Sequence, residues 1–176
     1  ESGEGIRVLE AKLTQALQAQ VPKGLFRRLD RRAYEIGIDL TEIPYHGLPS
    51  QDEDEIRRSK AKCGTTHFHA YATLSVVHHR KRYELALTFV WGDESMGQVV
   101  QRLVAQARKL GIHIKRAYLD KGFCSKEVFD CLRQRRIPYL IPIPRKGKTG
   151  GIRALFVGKK NYRTIYTFNE GKENAY

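Results

Sequence analysis

No uninterrupted apolar run in this chain approaches the roughly 20 residues that a membrane-spanning helix needs, and no signal peptide opens it. A membrane-inserted or secreted protein is therefore not expected. Cysteine is scarce: Cys63, Cys124 and Cys131 are odd in number and lack the paired spacing of metal sites. Reduced thiols in an intracellular protein are the expectation. Acidic residues are also in short supply, Asp+Glu 19 against Lys+Arg 32, which leaves a formal charge of +13. That imbalance implies attraction to a polyanion, most simply nucleic acid, with marked salt dependence. The basic residues come in clusters along the whole length, from Arg27-Arg28 and Arg31-Arg32 through Arg80-Lys81-Arg82 to Lys159-Lys160. Any one cluster suits an ordinary solvated surface; the sum argues for a partner.

What is present suits one domain with a real core: 176 residues, 41% hydrophobic and 10% aromatic. The stretch 33–45 is its centre. Tyr34, Ile36, Ile38 and Leu40 alternate with smaller or polar residues, the period-two mark of a strand with one face on a core. The opposite series holds Gly37, Asp39 and Thr41. A lone Asp in such a strand is costly to bury unless something pairs with it. It is either hydrogen-bonded to nearby backbone or a metal ligand, and the second reading needs another carboxylate.

Upstream, residues 5–32 read as helical up to the break at Pro22-Lys-Gly24, a packing or linker helix outside the core sheet. Downstream, a turn cluster at 46–50 precedes the acidic run Asp52–Glu55, which reads as a solvated loop. Phe68 to Val76 alternates as a second strand. Tyr83, Leu85, Leu87, Phe89 and Trp91 alternate as a third, with His78 to Arg82 between them as a hairpin connection. His67 and His69 with nearby Cys63 lack a fourth zinc ligand and read as surface histidines. Ser95 with Gln98 forms a capping-box pattern, an apolar stripe runs from Val99 to Leu110, and Gly111 suits the helix end. A strand follows at once, from Ile112 to Asp120, and ends on an acid. Ser125 then caps a helix with Arg133, Arg135 and Arg136 near its C-terminus, where positive charge suits the dipole. Pro138 to Pro144 has proline at alternating positions and belongs at a sheet edge. A basic loop, 145–151, leads to a hairpin expected at 154–157 and 162–168.

If the first and fourth strands are neighbours, Asp39 and Asp120 reach one point. Two close carboxylates repel, and a divalent cation resolves the repulsion; oxygen-only ligation suits Mg²⁺ or Mn²⁺. Paired metals about 4 Å apart clamp a phosphodiester in line, which fits a polyanionic substrate.

Three stretches, Ile36 to Gly47, Gly64 to Leu74 and Ala117 to Phe123, together resemble insertion-sequence transposases of the DDE class over roughly residues 30–148. The resemblance implies a ribonuclease-H-like α/β fold: a mixed sheet of three antiparallel strands, then helix, strand, helix and strand. It implies an N-terminal helical or linker segment at 1–32, a partial catalytic core at 33–148, and the start of an inserted β-region at 149–176. It implies cleavage and strand transfer at transposon ends, with Asp39 as first acid, bridging two metals, and Asp120 as second. Gly122 would allow close backbone approach beside the site. Arg57, Arg58, Lys60, Lys62, Lys121, Arg145, Lys146 and Lys148 are the candidate DNA contacts. A prokaryotic-type, cytoplasmic, nucleoid-associated protein and a homodimer within a nucleoprotein complex are implied as well. The third acid of such relatives follows a Tyr and, three positions on, an Arg; no Tyr here has an Arg at that spacing. The chain starts without Met and reads as a piece ending inside the insertion, with weak nuclease activity at most. Two other readings stay open: a non-catalytic basic DNA-binding module, and a metal-dependent nuclease or resolvase.

Overall fold

The computed structural model describes residues 2–48, 54–144, 151–156, 158 and 163–165. The chain divides into two compact units, Glu1–Pro142 and Ile143–Tyr176. The first contains helices α1 (Ser2–Ala19), α2 (Lys23–Phe26), α3 (Met96–Lys109) and α4 (Lys126–Gln134). Its strands are β1 (Ala33–Pro44), β2 (Arg57–Lys62), β3 (Thr65–His78), β4 (Lys81–Val90), β5 (His113–Leu119) and β6 (Tyr139–Leu140). In the second unit Gly151–Leu155 forms a 3₁₀ turn. This replaces the start of the hairpin expected at 154–157; residue 157 and most of 162–168 lie outside the described residues.

The six strands form one mixed sheet. β1 pairs antiparallel with β3 and parallel with β5, and β6 extends the parallel side. The far side of β3 is shared between β4, along 70–78, and β2, along 65–68. Three antiparallel strands, a crossover helix and two parallel strands thus appear in the expected order. β2 is an addition that the sequence reading took only for a basic cluster. β6 is two residues long, because the flanking prolines at 138, 142 and 144 cannot donate to a ladder.

β1 buries Tyr34, Ile36 and Ile38, which pack with the alternate residues Ala72, Leu74 and Val76 of β3 and with α3 and α4. α3 begins on the expected capping box: Ser95 Oγ accepts from Gln98 N–H and the Gln98 side chain accepts from Ser95 N–H. Its stripe of Val99, Val100, Leu103, Val104 and Ala107 is buried.

β4 departs from the simple alternation. Leu74 pairs with Ala86 but Ser75 pairs with Glu84, so Leu85 is an extra residue in the ladder. Past this bulge the faces exchange. Ala86, Thr88 and Val90 turn inward, and Leu87, Phe89 and Trp91 lie half-buried on the other face. The connection from β3 to β4 is also shorter than expected. Only His79 and Arg80 form the turn, both with positive φ (49° and 63°), and His78, Lys81 and Arg82 belong to the strands.

The outer edge of β4 is covered by α1, through polar side chains. Gln18 Nε2 donates to Leu85 O, Thr14 Oγ1 accepts from Leu87 N–H, and Glu10 Oε1 accepts from Phe89 N–H. Every fourth helical residue advances about 6.0 Å and every second strand residue about 6.6 Å, so the rows stay in step. An unpaired strand edge is thereby capped. Glu10 also reaches Thr88, which Arg102 of α3 joins to Glu94 and Phe89 O.

Candidate active site

The β1–β5 pairing places the two acids. Gly37 pairs with Tyr118 and Ile38 with Leu119, in parallel. Asp39 follows on β1, on the face of Gly37, and Asp120 follows Leu119 just past the last paired residue of β5. Asp120 ends β5 and caps the 3₁₀ turn Lys121–Phe123, its Oδ1 accepting from Lys121 N–H at 2.6 Å. Asp39 Oδ1 accepts from Leu40 N–H at 3.0 Å. Both residues are exposed. The burial penalty raised for Asp39 therefore does not arise, because α3 and α4 cover the opposite face. Each keeps an Oδ2 with no hydrogen bond among the described residues. Two exposed, oxygen-only donors are the type that suits a hard divalent cation. No group of three or more potential metal-ligating side chains occurs among the described residues.

One row away stands a feature the sequence reading passed over. Arg82 reaches from β4 across β3: its Nε donates to Ser75 Oγ at 3.2 Å, and Ser75 Oγ–H donates to Gly37 O at 3.4 Å. A Cβ at Gly37 would meet Ser75 Oγ at 2.9 Å and Arg82 Nη2 at 3.6 Å. The guanidinium therefore lies above Gly37, two residues from Asp39 on the same face, and is only loosely paired with Glu84 at 3.5 Å. The signal was the glycine itself, since a glycine inside a strand marks the close approach of another group. In the other direction this face carries Thr73 and Tyr71 of β3. His69 beyond them packs edge-on with Tyr45, at 5.0 Å between ring centres.

The candidate DNA contacts do not converge. Arg58 and Lys62 of β2 pair with His67 and Thr65, on the face of the acids, and are exposed with Lys60. Arg57 pairs with Phe68 on the other face, and its Nη1 donates to Glu94 O at 3.1 Å. Lys121 is exposed beside Asp120. A Cβ at Gly122 would meet open space. Arg145, Lys146 and Lys148 lie outside the described residues.

The family model described as transposase DDE domain matches residues 31–173. No curated protein matches. Among solved structures, the cryo-EM structure of a piggyBac transposase synaptic complex with hairpin DNA is similar at 12% identity and TM-score 0.40, covering 66% of this chain and 24% of that one. The Drosophila P element transposase strand transfer complex is similar at 7% identity and TM-score 0.32, covering 70% of this chain and 28% of that one. The chain thus spans about a quarter of the length of these structures. No helix among the described residues is long and apolar enough to cross a membrane.

Proposed function

Because the chain belongs to the transposase DDE domain family, we propose that it is catalytic-domain sequence of a DNA transposase, with Asp39 and Asp120 as two of its metal-holding acids. The observation that supports this reading is the β1–β5 register: its last pair is Ile38 with Leu119, and each acid is the exposed residue that follows. Three antiparallel strands followed by two parallel ones support reading the sheet as ribonuclease-H-like. Asp39 and Asp120 would help to hold Mg²⁺ or Mn²⁺, which would supply Lewis-acid stabilisation and a water of lowered pKa for phosphodiester cleavage. The chain's own residues position the DNA. The backbone N–H groups of Leu40 and Lys121 each hold one carboxylate oxygen and so aim the other outward. Arg82, held across Gly37 by Ser75, sets a positive charge beside the acids where a phosphate of the cut strand lies. Lys121 and the exposed cations of β2 extend the positive surface along the duplex. The partners are transposon ends and target DNA, met by two copies in one nucleoprotein complex in a prokaryotic-type cytoplasm.

The Tyr–Arg–Glu pattern of the third acid has no match in the sequence, so residues 1–176 by themselves cleave DNA weakly at most. The test is Asp39→Asn and Asp120→Asn in the full-length parent. Each abolishes metal-dependent cleavage and leaves DNA affinity near that of the parent. The same test decides against a second reading, in which the two aspartates serve only their neighbouring N–H groups: asparagine would preserve those hydrogen bonds, and retained cleavage would establish the structural role.

A further inference from the structure

The ends of α3 and α4 lie together at the start of β5, at the opposite end of that strand from Asp120. Both helices stop in the same way. Gly111 N–H donates to Arg108 O and Ile112 N–H to Ala107 O; Arg136 N–H donates to Arg133 O and Ile137 N–H to Leu132 O. This is the paired closure that needs one residue in the left-handed region. On α3 that residue is Gly111 (φ 74°), the type that adopts it without strain. On α4 it is Arg136 (φ 53°), a side chain that disfavours this backbone. Arg136 is therefore the wrong residue for the turn and the right one for something else.

That something is a cleft of about 440 Å³ lined by Arg108, Arg135, Arg136, His113 and Asp30. Among the described residues none of the three arginines forms an ion pair. Arg135 donates from Nη1 to Cys131 O at 3.1 Å. The bland account is dipole compensation, since cations favour helix C-termini. Each helix end carries only about half a negative charge. With Asp30 added, the three guanidiniums still exceed the negative charge by about one, before His113 is counted.

We propose that this cleft is a second DNA-binding site, taking a backbone phosphate of duplex DNA between Arg108 and Arg136. It lies about 23 Å along β5 from the acid pair, seven residues of strand, so it is separate from the cleavage site. The proposal rests on the transposase reading only for naming DNA as the polyanion. Its test is therefore made on binding alone, in chelator and without metal.

The test is Arg136→Gly, which removes the side chain and relieves the left-handed turn. Labelled duplex DNA is titrated at several salt concentrations, and thermal unfolding is followed in parallel. The expected result is a midpoint raised by about 2–4 °C, as relief of one strained residue gives in a domain of this size. At the same time DNA affinity falls about tenfold, as for one charged hydrogen bond, and the slope of log K against log salt becomes shallower by about 0.9. Arg136→Lys retains most of the affinity, and Arg108→Gln adds a comparable loss to that of Arg136→Gly. A raised midpoint with unchanged affinity and slope overturns the proposal, leaving the arginines to the helix ends. Inorganic pyrophosphate is the second probe: saturable binding that Arg136→Gly removes, with DNA binding untouched, would make this a small-anion site and overturn DNA as its ligand. Cleavage retained by Asp39→Asn would count against the transposase reading without moving these binding results.

Discussion

Gly37→Ala tests the part of the site that tertiary structure built. The added Cβ would lie 2.9 Å from Ser75 Oγ, closer than real Cβ contacts come, so something must shift. Ser75 is fully buried on β3, so its hydroxyl has little room to retreat. Accommodating the methyl costs about 1–3 kcal/mol of overpacking. Rotating Ser75 away breaks its bond to Gly37 O and the bond it accepts from Arg82, at about 1 kcal/mol each. Alanine in a strand returns about 0.5–1 kcal/mol over glycine, and no positive φ opposes it here. The net destabilisation is about 2–4 kcal/mol, a drop in Tm of about 10 °C for a domain of this size. Chemical and thermal denaturation of Gly37→Ala, Ser75→Ala and the double variant measure it. In the double variant the obstructing oxygen is gone, so the stabilities are non-additive by about 1–2 kcal/mol and the double variant is firmer than the sum of the singles. Arg82 stays unanchored in all three. A Gly37→Ala chain as stable as the parent, or strictly additive effects, would refute the packing of Arg82 over Gly37.

Two further outcomes follow from charge. Arg102→Met strips the nearly buried Glu94 carboxylate of its cation and leaves it only the Trp91 N–H. Breaking a buried pair costs about 3–5 kcal/mol, and the partial exposure of Arg102 lowers this to about 2–3 kcal/mol, read as a shift in the urea midpoint. His78 has its pKa lowered, first by burial and then by His79, Arg32 and Arg28, and it packs edge-on against Tyr34. The unfolded chain therefore binds the proton more readily, so stability falls as pH drops from about 6.5 towards the folded value. His78→Gln flattens Tm against pH over that interval; an unchanged slope would exclude His78 as its source.

Much of the fold was legible locally. The period of β1, the Ser95–Gln98 capping box, Gly111 at the end of α3 and the Ser125 cap all act within one or two turns of chain, and each sits where its residue type implies. β4 was misread for a reason equally physical. Its alternation of Leu85, Leu87, Phe89 and Trp91 is a true period of two. The inserted Leu85 can be seen only against β3, and it hands the inner face to Ala86, Thr88 and Val90. β2 was invisible because its edge position leaves Arg58, Lys60 and Lys62 exposed, so no apolar alternation marks it.

The site divides along the same line. Asp39 on a strand and Asp120 at a strand end were determined by the sequence alone, since periodicity and capping are properties of neighbouring residues. That they follow paired residues of neighbouring strands was decided by the parallel β1–β5 register, a pairing between segments distant in the chain. So was the path of Arg82 to Gly37, which runs from β4 across β3 to β1, strands that only the sheet brings together. Side-chain chemistry is written residue by residue; which chemistry meets which is set by pairing across strands.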